Sequence, residues 1–460
     1  MAGTNLPLSA LQRTTYPSNC LQFLKRFSAA EANSPGQITL KIIIVGAGLG
    51  GLSTAIALAT QGHQVTIYEQ APELGEVGAG IQIPPNSARL LIKLGVGPYL
   101  AKCATEPEGM TFRRWENGQP IGYTQLIPGF RQTFDAPYYV IHRADFHSAL
   151  VQRARDLGIE IKLGCKAVDY DLSGPGIQLE SGECFEADLV VAADGIKSLA
   201  RSLVDKGSEK PVETLGFAAY RATVDVGLLK EDPDTAWLLE KPALNIWLIG
   251  DKRHVMTYTI GTGKSFNMVL SHWDPRDPAT WDQRTALEDM RREFTGWDPR
   301  LTKTIGMIKK TTKWPLVSST PLSKWFSGNV VVLGDAAHAM LPYMSQGAAM
   351  AVEDGVALAR ALGNISSKTD IAQALEVFEE VRAGRTRMMQ GASLLNGQLW
   401  HFPDGPLQQA RDEAMRPETQ GIPFSHSPNQ WSDPATQMWA YGYDTEKEID
   451  EAFRRRKGND

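Results

Sequence analysis

The chain has 460 residues, enough for two or three structural units at roughly 100–200 residues per domain. Hydrophobic residues at 42% and charged residues at 22% match an ordinary globular composition and exclude long disorder as the default. The 47 basic and 52 acidic side chains leave a net charge of −5, which argues against bulk affinity for nucleic acid or anionic membrane. Cys20, Cys103, Cys165 and Cys184 are widely spaced, with no C-x-x-C pair and no zinc spacing. They read as thiols of a reducing compartment, so a cytoplasmic location is expected. No apolar run of about 18 residues or more occurs, so no transmembrane helix is expected.

Residues 1–38 carry Arg13, Lys25 and Arg26 with no acid before Glu31. They read as a disordered N-terminal extension, with a loose likeness to an organelle transit peptide. Lys41 to Val45 is a short apolar run of the kind found in a strand covered on both faces. A glycine-rich turn, a helix over Leu52 to Thr60, a stop at Gly62 and a strand over Gln64 to Glu69 complete a β-α-β unit. Helices are expected over 86–103 and over Arg143 to Leu157. Ile159 to Leu163, Val168 to Leu172 and Ile177 to Leu179 read as a meander, and Asp188 to Ala192 as a buried strand. From about residue 212 the pattern changes. Phe217 to Val226, Asn245 to Ile249, His254 to Ile260 and Phe266 to Trp273 read as evenly spaced antiparallel strands. Leu287 to Phe294 reads as a helix, Val330 to Leu333 as a parallel-type strand, and Gln346 to Leu362 and Ala372 to Leu395 as helices. Residues 402–436 read as loop, and Arg454 to Lys457 as a solvated tail.

The fold class expected is therefore α/β, a Rossmann-type dinucleotide domain with an inserted, largely antiparallel sheet and a helical C-terminal part. The domain division expected is 39–211 with 322–395 for the discontinuous dinucleotide domain, 212–321 for the inserted sheet, and 396–460 for the C-terminal segment.

Three motifs carry chemistry. Gly46-Ala47-Gly48-Leu49-Gly50-Gly51 follows a strand and opens a helix. Gly46 suits the tight turn, Gly48 the approach of a pyrophosphate, and Gly51 close helix–strand packing. Glu69 ends the second strand 18 residues after Gly51, where an acid binds a ribose hydroxyl. Only one such fingerprint is present. The second motif, Ala187 to Ser198 with Arg201 after it, ends a buried strand at Asp194-Gly195; read alone it is an ordinary strand-to-helix turn. The third is Leu333-Gly334-Asp335-Ala336-Ala337-His338, followed by Pro342 and Ser345-Gln346-Gly347-Ala348. Asp335 can bind a hydroxylated chain, and the N–H groups near Gly347 and Ala348 can hold a carbonyl oxygen or an anion. The eight histidines form no metal set.

These motifs, in this order over residues 40–395, resemble the single-component FAD-dependent aromatic monooxygenases. The stretches Tyr68 to Ile81 and Ile141 to Phe146 resemble the fungal salicylate hydroxylase-like branch, which includes enzymes of secondary metabolism. The resemblance implies FAD as cofactor, with NADPH or NADH as a transient reductant, O2 and a small aromatic substrate. It implies that Glu69 binds the adenosine ribose and that Gly80 and Arg143 lie along the cofactor. Asp194-Gly195 would match the second flavin motif, and Asp335 would bind the ribityl or pyrophosphate part. Gly347 and Ala348 would meet the pyrimidine end of the flavin, and Pro342 the reacting edge. Gly216 to Arg221 resembles a strand whose arginine faces the substrate, and His254 to Tyr258 one that places a tyrosine on the substrate oxygen. Arg221 and Tyr258 are therefore the candidate catalytic pair. Each also has a plainer reading, an ion pair for Arg221 and core packing for Tyr258, and Trp247 reads either as pocket lining or as core.

The reaction implied is hydroxylation of a phenol through a flavin C4a-hydroperoxide, with loss of CO2 where a carboxylate sits at the attacked carbon. The alternatives are a flavin epoxidase or hydroxylase of an alkene, indole or polycyclic metabolite, and a flavin-containing binding protein without turnover. No nucleic acid partner and no stable membrane insertion are expected, and the chain is read as a monomer or homodimer.

Overall fold

The computed structural model describes residues 38–75, 79–206, 213–248 and 252–458. Residues 1–37, nearly all of the N-terminal extension read in the sequence, lie outside the described residues, as does Gly78 of the quoted motif stretch. Two large sheets organise the rest. The first runs in the order β17 (Phe326–Ser327), β18 (Val330–Val332), β11 (Leu189–Ala192), β1 (Lys41–Val45), β2 (Gln64–Tyr68), β7 (Glu160–Lys162). Every neighbouring pair is parallel except β17–β18. β1, β11 and β18 are buried along almost their whole length, which is why they read as unbroken apolar runs.

The register aligns Lys162, Tyr68, Val45, Ala192 and Val332 in one row across the sheet. Glu69, Gly46, Asp194 and Asp335 each follow that row by one to three residues. One carboxyl edge of one sheet thus gathers all three motifs, the usual ligand position in an open parallel sheet.

Two helices pack tightly behind this edge: α1 (Leu49–Thr60) and, beyond the short α2 (Asp335–His338), α3 (Gly347–Leu362). A Cβ on Gly50 would lie 3.3 Å from the Ala351 Cβ, and one on Gly355 would lie 2.7 Å from the Thr54 Cα. Residue numbers rise together along the crossing, Gly50 with Ala351 and Thr54 with Gly355. The helices are therefore parallel, and both N-termini point the same way. α3 begins about one turn earlier relative to its neighbour, so it reaches roughly 4–5 Å further.

The second sheet has seven strands in the order β16 (Thr312–Ser318), β12 (Glu213–Asp225), β15 (Ser265–Trp273), β14 (His254–Ile260), β13 (Ala243–Leu248), β4 (Gly109–Arg114), β5 (Pro120–Gln125). One face packs towards the nucleotide-binding half through Ala219, Ile246, Met256 and Tyr258. The other packs on helices 286–293 and 299–306 through Tyr220, Trp247, Val255 and Met268. A short ribbon of β3 (Gly80–Ile83) and β6 (Tyr139–His142) lies against β14. Helix α4 (Ile371–Trp400) runs alongside α3.

The structure corrects several expectations. The antiparallel layer is not confined to 212–321, because β4 and β5 join it by parallel pairing of β4 with β13. Such a long-range pairing leaves no local turn signal. Glu160–Lys162 is the edge strand of the parallel sheet, while β8 (Ala167–Asp171), β9 (Gly176–Leu179) and β10 (Cys184–Glu186) form a separate three-stranded sheet. Within 402–436, residues Pro406–Gln420 form a helix with Pro406 at its start, where a missing N–H costs nothing. Arg454 to Lys457 end a helix, and Arg456 pairs with Glu376 and Glu380 of α4. Among the described residues no helix is long and apolar enough to cross a membrane.

Gly355→Val would push a branched side chain into the Thr54 backbone. The expected cost is about 1–3 kcal/mol, read as a lower urea midpoint at unchanged slope. An unshifted midpoint would contradict the tight crossing.

Candidate active site

At the carboxyl edge, Gly46 has φ 103°, and a Cβ there would sit 2.4 Å from the Ala193 carbonyl oxygen. A Cβ on Gly51 would sit 2.0 Å from the Gly46 carbonyl oxygen. These two positions accept only glycine without rearrangement. Gly48 differs: nothing lies within 4 Å of where its Cβ would be, so the turn is open to an approaching group. The Glu69 carboxylate accepts from the Ala47 N–H at 2.7 Å and the Ala71 N–H at 2.8 Å, which ties the acid to the glycine turn.

Asp194 accepts from the Tyr170 hydroxyl at 2.9 Å and the Leu199 N–H at 3.1 Å through Oδ2. Burial, with the Asp194 charge added, raises the Tyr170 pKa well above its ordinary value and keeps that hydroxyl a donor. The other Asp194 oxygen, Oδ1, is buried and finds no donor among the described residues. Asp335 stands exposed at the start of α2. Neither α1 nor α3 has a side-chain cap, so the first N–H groups of both helices remain open. An orphaned carboxylate oxygen, an exposed acid, an open glycine turn and two uncapped N-termini on one edge fit a pyrophosphate-linked, hydroxyl-rich cofactor.

A second cluster joins this edge to the seven-stranded sheet. The register places Arg221, Val269 and Met256 in one cross-strand row and Thr223, Asn267 and Tyr258 in the next. Gly80 meets this face directly: its N–H donates to Asn267 Oδ1 at 2.7 Å, and a Cβ would lie 2.4 Å from the Tyr258 ring. The Arg143 N–H donates to the Ala79 carbonyl, next to Gly80. Burial lowers the Arg221 pKa, the Arg143 charge lowers it further, and Tyr258 acts in the opposite sense. Arg221 Nε is buried without an acceptor among the described residues. Burial pushes the Tyr258 phenol far above its ordinary pKa, while Arg221 and a hydrogen bond with Gln82 oppose the rise. Arg221, Tyr258, Gly80 and Arg143 therefore belong to one neighbourhood. Trp247 does not: it faces the helices on the opposite side, and its indole N–H donates to Asp298 at 3.2 Å. Strand alternation puts it one residue out of phase with the pocket face.

Two features were not read from the sequence. Behind α3, Arg382 donates to Glu353 at 2.7 Å and to Asp354 at 2.8 Å, all three fully buried. Asp354 also accepts from the Gly334 N–H at 3.0 Å and pairs with His338 at 2.5 Å. Asn86 donates to both Glu353 and Gln346, the residue that precedes α3. This network fixes the loop carrying Asp335 and the start of α3 to one another. Its signal was the pair of adjacent acids inside an otherwise apolar helix.

The other feature is an aromatic nest beside the predicted reacting edge. Pro342 is exposed, whereas Tyr343 is buried with its hydroxyl unpartnered among the described residues. Around Tyr343 stand Phe217, His254, Trp400 and His401. The two imidazoles share a hydrogen bond of 2.9 Å between His254 Nδ1 and His401 Nε2. Gly347 and Ala348 are partly buried at the start of α3.

With this geometry described, comparison with known proteins gives the class. The FAD binding domain family matches residues 39–391, and the chain belongs to that family. It is 37% identical to the FAD-dependent monooxygenase OpS4 of Beauveria bassiana (strain ARSEF 2860), over 91% of this chain and 98% of that one. It is 35% identical to the 3-amino-4-hydroxybenzoate 2-monooxygenase PtnB3 of Streptomyces platensis, over 82% and 92%. Among solved structures it resembles a salicylate hydroxylase substrate complex, with a TM-score of 0.74 and 26% identity over 90% of this chain and 98% of that one. The protein is an FAD-dependent monooxygenase of the aromatic hydroxylase type, in a family where NAD(P)H is the usual reductant.

Burial lowers His254 from 6.5 to about 3 and His401 well below its ordinary value. Both folded values lie below the unfolded one. Stability is therefore complete above pH 6.5 and falls as pH drops towards 3, because the unfolded chain binds protons that the folded chain does not. Denaturation midpoints are expected to fall on acidification from neutral pH. A His254→Leu/His401→Leu double variant should show a shallower fall; an equal slope would contradict a neutral buried pair.

Proposed function

We propose that this enzyme hydroxylates an anionic phenolic substrate of the hydroxybenzoate class, held by Arg221 and Tyr258. The observation that carries the reading is the Arg221 side chain: a guanidinium in largely buried surroundings, with Nε unsatisfied, beside a buried phenol. A permanently charged planar fork with an unmet donor is suited to a carboxylate or phenolate oxygen.

The same reading assigns the cofactor residues. Gly46, Gly48 and Gly51 shape the turn that receives the pyrophosphate, and Glu69 takes the adenosine ribose. Asp194 offers Oδ1 to a hydroxyl, and Asp335 takes the ribityl or pyrophosphate part. Gly80 and Arg143 line the cofactor. The N–H groups of Gly347 and Ala348 present the positive end of α3 to the flavin pyrimidine ring, which favours negative charge there. Pro342 borders the reacting edge.

FAD, once reduced by NAD(P)H, supplies the oxygen-activating chemistry. The chain's own contribution is to bind, orient and polarise. Tyr258 keeps its proton at neutral pH, so it acts as a hydrogen-bond donor to the substrate oxygen rather than as a base. Arg221 stabilises negative charge on the same substrate. Together they favour the phenolate, whose electron density activates the ring carbon, in a site where low polarity strengthens both contacts. If a carboxylate occupies the attacked carbon, hydroxylation releases CO2.

Arg221→Ala is expected to lower kcat/KM by roughly 30- to 1000-fold, corresponding to about 2–4 kcal/mol for an unpaired anion contact, with flavin content unchanged. Full activity in that variant would remove Arg221 from the role. Asp335→Ala is expected to yield protein with a markedly reduced flavin-to-protein absorbance ratio; an unaltered ratio would overturn that assignment.

A further inference from the structure

We infer that Trp431, Tyr138 and Gln82 form a one-way hydrogen-bond chain that aims the Tyr258 hydroxyl proton at the substrate, so that the C-terminal segment helps to orient the site. The three are positioning residues that act through Tyr258. The inference rests on the phenolic reading above and deepens it by naming what directs its donor.

The chain begins at a group that can only give. An indole N–H carries a proton and has no acceptor. Trp431 Nε1 donates to the Tyr138 oxygen at 3.2 Å. Tyr138, which immediately precedes β6, in turn donates its proton to Gln82 Oε1, an oxygen that can only accept. Ser345 is the other hydroxyl at Tyr138, and it donates once the Tyr138 proton is committed to Gln82. The Gln82 amide is then fixed. Its oxygen faces Tyr138, and its NH2 faces β14, where it donates to Met256 Sδ at 2.9 Å.

Strand geometry brings Tyr258 to the same amide. Gly80 and Gln82 share one face of β3, and Met256 and Tyr258 share one face of β14. Gly80 stands against the Tyr258 ring and Gln82 against Met256. Gln82 and Tyr258 are themselves hydrogen-bonded. The remaining amide N–H meets the Tyr258 oxygen, which leaves the Tyr258 proton for a substrate oxygen. The reverse order would turn the amide over and set its oxygen against the Met256 thioether, which has no proton to offer.

All four side chains are buried, so bulk water does not compete for these groups, and the direction set at one end persists to the other. Trp431 is itself held in place. Its ring stacks on Trp400 at 5.3 Å, and its backbone N–H donates to Asn429 Oδ1 at 3.1 Å. Asn429 in turn donates to Glu418 at 2.9 Å, on the helix Pro406–Gln420, and to Thr124 of β5 at 3.1 Å. Trp431 lies beyond residue 391, where the match to the FAD binding domain family ends. The segment after that match thus supplies the first donor of the chain.

The test follows the ionisation of 3-hydroxybenzoate bound to the FAD-loaded enzyme, by difference absorbance over a pH series. The ionisable groups facing Tyr258 are Arg221 and Tyr138, and burial keeps the Tyr138 phenol protonated. Trp431→Phe keeps an aromatic ring and removes the N–H; Gln82→Met keeps the volume and removes the amide. Each is expected to lower the ionisation constant of the bound phenol about two- to threefold. Neither should have any effect where Tyr258 is already replaced by Phe, whereas a merely structural role would shift both backgrounds alike. Equal shifts in the two backgrounds, no shift, or a shift towards easier ionisation would overturn the chain and leave the phenolic reading in place. Tyr258→Phe alone is expected to lower the same constant about tenfold. No change in that variant, or no binding of the phenol by the unsubstituted enzyme, would overturn the phenolic reading and the chain with it.

Discussion

The parallel crossing of α1 and α3 sets where the other polar groups of the site must stand. Gly50 against Ala351 and Gly355 against Thr54 leave no room between the two helices, so neither can slide or rotate without a backbone clash. Because they run in the same direction, their positive ends converge on the edge where β1, β11 and β18 finish together. Negative charge on a ligand is favoured there by two sets of open N–H groups rather than one. The acids Glu69, Asp194 and Asp335 stand at the ends of strands around that edge.

Holding α3 in place requires buried charge. Glu353 and Asp354 face Arg382 and Arg385, with Asn86, His338 and the Gly334 amide completing the coordination. Such a set is nearly balanced in charge and satisfied by hydrogen bonds, the condition under which buried ions persist. Burial works against the Asp354 charge, but His338 and then Arg382 outweigh it and hold the pKa below its ordinary value. Removing one member would leave its partners uncompensated, which makes the network a positional lock on the Asp335 loop rather than a general source of stability.

Much of this was legible in the chain itself, for local reasons. A strand, a glycine turn, a helix and a terminal acid are contiguous in Val45 to Glu69, so the dinucleotide half announced itself. Asp194 and Asp335 were readable as strand-end acids, although only the register shows that they share one edge. What could not be read depends on distant partners. The pairing of β4 with β13 joins residues more than a hundred positions apart, and no turn encodes it. Gly80 gave no sign that its missing side chain makes room for Tyr258. Trp247, readable as pocket lining or as core, is core: the two-residue period of β13 sends it to the face away from the pocket. The loop reading of 402–436 failed because proline is tolerated in the first turn of a helix and glutamine is a good helix former, so the composition suits Pro406–Gln420 as a helix as well as a turn.

The most direct measurement is isotopic. The FAD-loaded enzyme would be supplied with NADPH or NADH, 3-hydroxybenzoate or salicylate, and 18O2, and the product mass recorded. Incorporation of one labelled oxygen atom into the ring, dependent on both reductant and O2, is the result expected of a phenol hydroxylase built on this site. NAD(P)H consumption with unlabelled phenol recovered for every phenolic acid supplied, and all oxygen appearing as hydrogen peroxide, would contradict it.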